Sequence, residues 1–284
     1  MKKLILIGGF ATMLTSCVGS GSGSDIIDQI ITQNMIVPVK MVSDGETFNF
    51  NYNGMKVTEI VSSSNLGNKS VFNYNEDMIS KITTYENNEV SSISTFIYNS
   101  GKLATATTQH FNLMGFVSQT KYVYSYSGNN VNVQKTVTST INNDNYTINN
   151  SYSIANGNVV GVNGTGSGTV NGGNSAITQT GTFLYSAKNY AFKNIVGFDK
   201  LIFNGDTEDS YSILYNGNQN NLSNYKFVKT YVTGGVTTSL ASYYKYTTTY
   251  TDKDFPANEV RQSTDANGNP DGSQPNTIVY TYNY

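Results

Sequence analysis

The sequence predicts an all-β protein, folded as an antiparallel up-and-down meander, and three observations lead to this prediction. Residue types that favour strands and turns are abundant, with 22 tyrosines, 13 phenylalanines and 26 glycines but only 4 prolines in 284 residues. Apolar and polar residues alternate, as along Phe48–Tyr52 and Ile278–Tyr284, and successive side chains of a strand point to opposite faces. Pairs rich in asparagine and glycine interrupt this alternation repeatedly, which is typical of hairpin turns.

The N-terminus has the layout of an export signal. Two lysines precede an apolar run, residues 4–14, which is too short at about eleven residues to cross a bilayer that requires roughly twenty. The run ends at Leu14-Thr15-Ser16-Cys17, which resembles the lipobox of bacterial lipoproteins, and Cys17 is the only cysteine. We therefore predict a signal peptide over residues 1–16 and a membrane anchor of acyl chains on Cys17. An ordinary secretory signal with a chance cysteine is the alternative.

Two short segments separate Cys17 from the first hairpin. Residues 17–24 are predicted to form the acylated cysteine and a flexible glycine and serine tether. Residues 25–32 place isoleucines four positions apart behind Asp25, a fair N-cap, which predicts a short helix covering one edge of the sheet. An edge strand is the alternative for this segment. Residues 25–284 are predicted to form a single β-meander domain.

Turn signals then follow one another along the chain. They suit the positive φ angles of tight hairpin turns, which β-branched residues resist. We expect consecutive strands to pair as neighbours, in a sheet that is barrel-like, openly curled or folded as a sandwich. The turn pairs are Asn53-Gly54, Gly67-Asn68, Glu76-Asp77, Asn87-Asn88, Ser100-Gly101, Met114-Gly115, Ser127-Gly128, Asn143-Asp144, Asn156-Gly157 and Gly172-Gly173.

A degenerate repeat lies within the hairpins, most clearly over residues 45–160. Its second aromatic residue recurs at positions 52, 74, 98 and 126, and Ile154 takes its place in the fifth unit. The pattern resembles the tyrosine-rich, YD-like repeats of Bacteroidetes cell-envelope lipoproteins of unknown function. That resemblance implies a β-meander and an envelope location but brings no catalytic residue. The clearest units are Phe50-Asn51-Tyr52-Asn53-Gly54, Phe72-Asn73-Tyr74-Asn75-Glu76 and Phe96-Ile97-Tyr98-Asn99-Ser100.

Two later stretches are less regular. Residues 161–173 are dense in glycine, which fits two weak strands around a turn or a linker between subdomains. The alternation of apolar and polar residues stops over residues 188–205, where we expect an irregular crossover. The strand pattern resumes at Tyr211 and continues to the C-terminal tyrosine.

Composition and motifs give little sign of catalysis. With 13% charged residues and a net charge of −2, the chain has no basic surface for nucleic acid. The single histidine, His110, lacks a second histidine or a free thiol and is expected to be an ordinary strand residue at the surface or half-buried. The acidic groups that a hydrolase would need lie at predicted turns, where carboxylates are usually solvated. These groups are Glu76 with Asp77, Glu86 with Glu89, and Asp206 with Glu208 and Asp209.

One run resembles a calcium loop. Asp265, Asn267, Asn269 and Asp271 place oxygen-bearing side chains at every second position. Pro270 stands where calcium loops have glycine, and Asn276 stands where they have a bidentate glutamate. A long polar hairpin loop is therefore the main interpretation, with a weak calcium site as the alternative. No cofactor is predicted.

These features predict a non-catalytic envelope lipoprotein, anchored at the outer membrane, whose sheet provides a surface for binding or assembly with an envelope protein. A glycan- or lipid-binding module is the alternative, because tyrosines on a concave face can stack on sugars. A carboxylate-dependent hydrolase and an integral barrel are weaker alternatives, the latter because the strands lack a continuous apolar band for lipid. The sequence does not indicate whether the protein lies on the periplasmic face or on the cell-surface face of the outer membrane.

Overall fold

Sixteen antiparallel strands follow one another in the described part of the chain, which comprises residues 35–201 and 218–284 of this computed structural model. All of them lie in one unit, Val37–Asn283. The strands are β1 Pro38–Ser43, β2 Glu46–Asn53, β3 Lys56–Ser62, β4 Lys69–Asn75, β5 Met78–Glu86, β6 Glu89–Asn99, β7 Lys102–Asn112, β8 Gly115–Ser127, β9 Asn130–Ser139, β10 Asn145–Ala155, β11 Asn158–Val170, β12 Gly173–Asn189, β13 Asn220–Thr233, β14 Val236–Tyr250, β15 Pro256–Ser263 and β16 Asn276–Tyr282.

Each strand pairs with its neighbours in sequence, and β1 also pairs with β16, so the sheet closes into a barrel. The predicted up-and-down meander is therefore confirmed, and closure decides against the open sheet and the sandwich. Closure also leaves the described sheet without a free edge, so the edge that the N-terminal helix was expected to cover does not exist. That helix, the signal peptide, Cys17 and the tether lie outside the described residues. No helix in the described part is long and apolar enough to cross a membrane.

The hairpin turns fall where asparagine and glycine predicted them. Gly54, Gly101 and Gly157 have φ angles of 63°, 73° and 75°, which residues with a Cβ rarely adopt. The glycine-rich stretch 161–173 forms the end of β11, a turn at Asn171 and Gly172, and the start of β12, so the linker interpretation is wrong.

Inward-facing side chains of the barrel are mostly apolar, and many outward-facing side chains are polar. On β10, Tyr146, Ile148 and Tyr152 are buried, whereas the alternating Asn149 and Ser151 are exposed. The same division holds on the neighbouring strands, because strand pairing keeps inward residues opposite inward residues. Outward-facing residues of β9 to β12 include Asn130, Asn132, Gln134, Thr136, Asn145, Thr147, Asn149, Ser151, Asn163, Thr165, Ser167, Thr178 and Thr180.

The two ends of the barrel differ. We call open end the rim formed by the turns after odd-numbered strands, such as those between β1 and β2 or β5 and β6. We call closed end the opposite rim, which carries the turns after even-numbered strands, the start of β1 and the end of β16. Residues 190–201, the closing segment, leave β12 at the closed end and pack into the barrel.

The closing segment is held by aromatic contacts. Phe192 and Phe198 are 2% and 1% exposed, and their ring centroids lie 5.7 Å from Phe50 and 6.0 Å from Phe72, respectively. The Val196 amide donates a hydrogen bond to the Met55 carbonyl in the turn after β2, at 3.1 Å. The predicted irregular crossover is confirmed over these residues, which contain a single short 3₁₀ turn, and residues 202–217 lie outside the described residues.

Three of the repeated tyrosines and two tyrosines of later strands form hydrogen bonds between strands at the closed end. Each ring points into the barrel, and its hydroxyl donates to a backbone carbonyl near the start of the preceding strand. A buried phenol needs such a partner, which explains why the repeat uses tyrosine rather than phenylalanine at this position. The pairs are Tyr52 to Pro38 at 2.7 Å, and Tyr98 to Ile79, Tyr126 to Leu103, Tyr185 to Val159 and Tyr282 to Pro256 at 2.8 Å.

Removing one of these hydroxyls is expected to destabilise the barrel. Tyr282→Phe leaves the Pro256 carbonyl without its buried donor and should lower the free energy of unfolding by about 1 to 3 kcal/mol. Tyr246→Phe is the matched control, because the Tyr246 hydroxyl is equally buried but has no hydrogen-bond partner. Its removal should leave stability unchanged or slightly higher. Urea unfolding of both variants measures the difference, and equal losses would contradict the assigned role of the hydroxyl.

Candidate binding site inside the barrel

A cavity of about 720 Å³, the inner cavity, extends from the open end down to the closing segment. Its lining includes Asp44 and Glu86 beside the turns of the open end, whereas Phe192 and Phe198 of the closing segment form its floor. The cavity is therefore blind, and its volume is that of a typical small-molecule site. Further apolar residues of its wall are Met41, Phe48, Phe50, Ile60 and Ile278, and polar ones are Glu46, Ser70, Thr84, Ser92, His110, Arg261 and Asn276.

The acidic residues near the open end already have donors. Glu46 Oε1 accepts hydrogen bonds from the hydroxyls of Ser62 at 2.5 Å and Ser64 at 3.1 Å. Asp44 Oδ2 accepts one from the Asn276 side chain at 2.6 Å. These bonds fix the positions of the two carboxylates at the cavity entrance.

Arg261, the only arginine, lies on the inner face of β15. Its guanidinium carbon is 5.1 Å from the centre of the Tyr244 ring, within the range of a cation–π contact. Opposite it on β16 is Asn276, whose side chain is turned to Asp44. Within the described residues the guanidinium makes no hydrogen bond and no ion pair, so its five donors are available to the cavity.

Glu259 lies two positions before Arg261 on the same face of β15 and is 6% exposed. Its Oε2 accepts a hydrogen bond from the Asn221 side chain at 2.8 Å, and the Thr248 hydroxyl lies 3.4 Å away. Burial raises the pKa of the Glu259 carboxyl, and these hydrogen bonds only partly oppose that effect.

The raised pKa predicts how stability depends on pH. The folded state binds a proton at Glu259 more readily than the unfolded chain, so stability is greatest below the usual value of 4.5 and falls as pH rises through the folded pKa. Glu259→Gln should therefore stabilise the barrel near neutral pH, by roughly 1 to 2 kcal/mol, and have little effect in acid. Urea unfolding of the native chain and the variant, at neutral pH and in acid, measures the difference in their free energies of unfolding.

Glu59→Gln is the control for that substitution. Glu59 faces outward on β3 and pairs with Lys69 at 3.2 Å, a half-buried ion pair at the outer surface, of small expected effect. A loss of stability in Glu259→Gln at neutral pH would show that the charged carboxylate is needed by the fold.

Lysines also reach the interior. Lys135 and Lys229 are each 1% exposed, and the Lys229 ammonium lies 5.2 Å and 5.1 Å from the ring centres of Tyr146 and Tyr231. Sequence reasoning missed these lysines, Glu259 and Arg261. For the two lysines a signal was available in strand parity, since Lys135 and Lys229 continue the inward-facing positions of a regular alternation.

The sequence-predicted acidic pairs lie far apart in the fold. Glu86 and Glu89 flank a turn at the open end, whereas Glu76 and Asp77 form a turn at the closed end, where Lys56 pairs with Asp77 at 2.9 Å. His110 is a strand residue of β7, as predicted, and its exposed side chain lines the cavity near the rim. The described residues hold no group of three or more histidine, cysteine and acidic side chains suited to a metal. Asp206, Glu208 and Asp209 lie outside the described residues.

The calcium-like run forms the predicted long hairpin loop between β15 and β16. Asp265 Oδ1 accepts hydrogen bonds from the backbone amides of Asn267 and Asn269, both at 2.9 Å. The bonds from Asn269 and its neighbours hold the pKa of Asp265 below its usual range. Asp271 likewise accepts from the Ser273 amide at 2.9 Å. The loop thus satisfies its own carboxylates, and calcium binding stays a prediction.

The fold and the cavity define a closed meander barrel with a blind interior cavity. No protein-family model matches the chain, and no curated protein matches it. Among solved structures the chain is similar to a porin-like protein from Bacteroides vulgatus, with a TM-score of 0.55 and 13% identity over 87% of this chain and 98% of that one. A porin-like protein from Bacteroides uniformis gives a TM-score of 0.45 and 16% identity over 88% and 97%. The first similarity supports the barrel fold.

Proposed function

We propose that the chain is a non-catalytic lipoprotein of the bacterial cell envelope that binds a small molecule inside its barrel. The acyl chains on Cys17 hold it at the outer membrane, and the barrel itself stands in water. The observation that carries the binding role is the blind inner cavity, with its aromatic floor and its polar entrance. The porin-like relatives in Bacteroides fit a protein of the Bacteroidetes envelope.

The polarity of the outer surface supports a barrel outside the bilayer. A transmembrane barrel presents an apolar band about 25 Å tall to lipid. The outward positions of β9 to β12 carry mostly asparagine, glutamine, serine and threonine instead, with exceptions such as Ala176 and Leu184. Other strands expose single apolar residues, such as Ile97, Val123 and Val232, but the described outer surface of β9 to β12 has no continuous apolar band. A lipid anchor is the attachment that suits such a surface.

The inner position of the tyrosines favours the cavity over an external glycan platform. The repeated Tyr52, Tyr98 and Tyr126 point inward and use their hydroxyls on backbone carbonyls. They are therefore not displayed on a concave outer face. Glu76 and Asp77 lie at the closed end, and of the pair Glu86 and Glu89 only Glu86 lines the described cavity. This arrangement supports a binding role rather than hydrolysis by one of these pairs.

The attachment is tested by fractionation of cells that express Cys17→Ala. We expect the native chain to take up labelled palmitate and to sediment with membranes. We expect the variant to lose the label and to appear in the soluble periplasmic fraction. A variant that stays in the membrane fraction would overturn the proposed location of the barrel.

Binding is tested by native mass spectrometry of the full chain carrying Cys17→Ala, which is handled without detergent. We expect a retained small molecule, and we expect Ser92→Phe, which adds a ring to the cavity wall, to lose it. Ser125→Phe adds the same ring to the outer face of β8 and should keep the molecule. Circular dichroism checks that both variants are folded. If both then retain the small molecule equally, binding in the cavity is contradicted.

A further inference from the structure

We infer that the inner cavity takes an amphipathic carboxylate, with its charged group on Arg261 and its apolar body on the aromatic floor. This inference rests on the proposed function and adds the class of ligand. It combines three features of the cavity, namely a guanidinium that makes no hydrogen bond or ion pair with the described residues, a graded change from polar to apolar lining, and acidic residues at the rim.

The guanidinium is the part of the cavity wall prepared for an anion. Arginine carries a permanent charge and five donors in a planar fork that matches the two oxygens of a carboxylate. Tyr244 covers one face of the Arg261 guanidinium, which orients the fork and leaves its edge for a ligand. Glu46 is held by Ser62 and Asp44 by Asn276. Glu259 accepts from Asn221 and is affected by the Arg261 charge, but among the described residues it forms no ion pair with the guanidinium.

The lining below Arg261 becomes apolar. Arg261 pairs with Asn276 on β16, and the next inward residues of that strand are Ile278 and then Tyr280. The Tyr280 ring lies 6.0 Å from Phe192 in the floor. Four residues of strand separate Asn276 from Tyr280, about 13 Å at the usual rise. A ligand whose charged group lies at Arg261 therefore has an apolar path of about this length beneath it.

The acidic rim favours a ligand with one negative charge over a ligand with two. Asp44 and Glu86 stand at the entrance, and Glu46 lies just inside it. The described lining holds two cations to balance an incoming anion, the Arg261 guanidinium and the Lys69 ammonium, and the ammonium is already paired with Glu59. A phosphate monoester, which carries nearly two charges at neutral pH, meets more repulsion there than a carboxylate does. An amphipathic cation placed on the same path would meet repulsion from the Arg261 guanidinium.

The test compares four ligands with the same dodecyl chain by isothermal titration calorimetry on the full chain carrying Cys17→Ala. They are dodecanoate, dodecyl phosphate, dodecanol and dodecyltrimethylammonium. We expect dodecanoate to bind most tightly, and we expect Arg261→Gln to weaken its binding about tenfold or more. Arg261→Lys should keep part of the affinity, and dodecanol should bind weakly and equally to all variants. Lys226→Gln, an outward-facing charge on β13, should change nothing.

The outcomes separate this inference from the proposed function. Equal binding of dodecanoate to the native chain and to Arg261→Gln would overturn the role of Arg261. Tighter binding of dodecyl phosphate would overturn the carboxylate. A molecule of another class that is retained by the native chain and lost in Ser92→Phe would overturn the inference while the proposed function stands. If no ligand binds and nothing is retained, both are wrong.

Discussion

Gly166→Ala is expected to destabilise the barrel by about 3 kcal/mol or more, among the largest effects of any single methyl group in this chain. Gly166 faces inward on β11, opposite Ile148 on β10. A Cβ built on it would lie 2.1 Å from the Thr147 carbonyl oxygen and 2.7 Å from the Ile148 Cα. Both atoms belong to backbone, so the clash cannot be relieved by a change of side-chain rotamer.

The physical cause is a stripe of glycines on the inner face of β11. Gly164, Gly166 and Gly168 replace side chains there, while β10 and β12 fill the space with Tyr146, Ile148 and Ile177. Glycine in a strand interior marks a close approach of two backbones. We expect a lower urea midpoint, and weaker folding of the variant at physiological temperature.

Gly161→Ala is the matched control on the same strand. Gly161 faces outward, and its Cβ would meet only the Gly181 carbonyl oxygen at 3.5 Å, an ordinary contact. Alanine there should be neutral or slightly stabilising, because it restricts the unfolded chain. If both alanine variants unfold at the same urea concentration, the close approach at Gly166 does not govern stability.

Local patterns in the sequence were sufficient to predict strands, turns and the identity of the buried face. Side chains of a strand alternate between its two faces, so the apolar Tyr146 and Ile148 identify the inner face even when the partner strand is unknown. A tight turn needs residues that tolerate positive φ, so Asn156 and Gly157 predict the position of the hairpin turn. Both signals are contained in a few consecutive residues.

Closure of the barrel had no such local signal. It depends on the pairing of β1 with β16, for example Met41 with Tyr280, which are remote in sequence. Nothing in either segment distinguishes a strand that closes a barrel from one that pairs at the edge of an open sheet. We expected an N-terminal helix to cover a sheet edge because the sequence does not indicate that β1 and β16 pair and close the barrel.

The candidate site was hidden for a similar reason. Glu259 and Arg261 are polar residues at inward positions of β15, and a polar residue in a strand with an irregular pattern gives no indication of which face it occupies. The floor of the cavity comes from the closing segment, whose Phe192 and Phe198 lie between strands β12 and β13, where the alternation stops. Only the fold brings these groups to one cavity.

Phe192→Ala is expected to lower the free energy of unfolding by about 3 to 5 kcal/mol. The Phe192 ring is 2% exposed and contacts four other rings, with centroid distances of 5.3 Å to Tyr190, 5.7 Å to Phe50, 6.0 Å to Tyr280 and 6.1 Å to Phe198. These rings connect the closing segment to β2 and β16, so the void left by alanine has no small group positioned to fill it. Urea unfolding followed by circular dichroism measures the loss.

Phe116→Ala separates this effect from the general loss of a phenyl ring. Phe116 is 44% exposed near the start of β8 and has a single ring contact, to Phe111 at 6.3 Å, so its removal should cost less than about 1 kcal/mol. Because Phe192 is also the floor of the inner cavity, its loss should lengthen the apolar path below Arg261 and shift binding toward carboxylates with longer chains. A variant that loses stability but keeps the native preference for chain length would show that Phe192 supports the barrel without limiting the ligand.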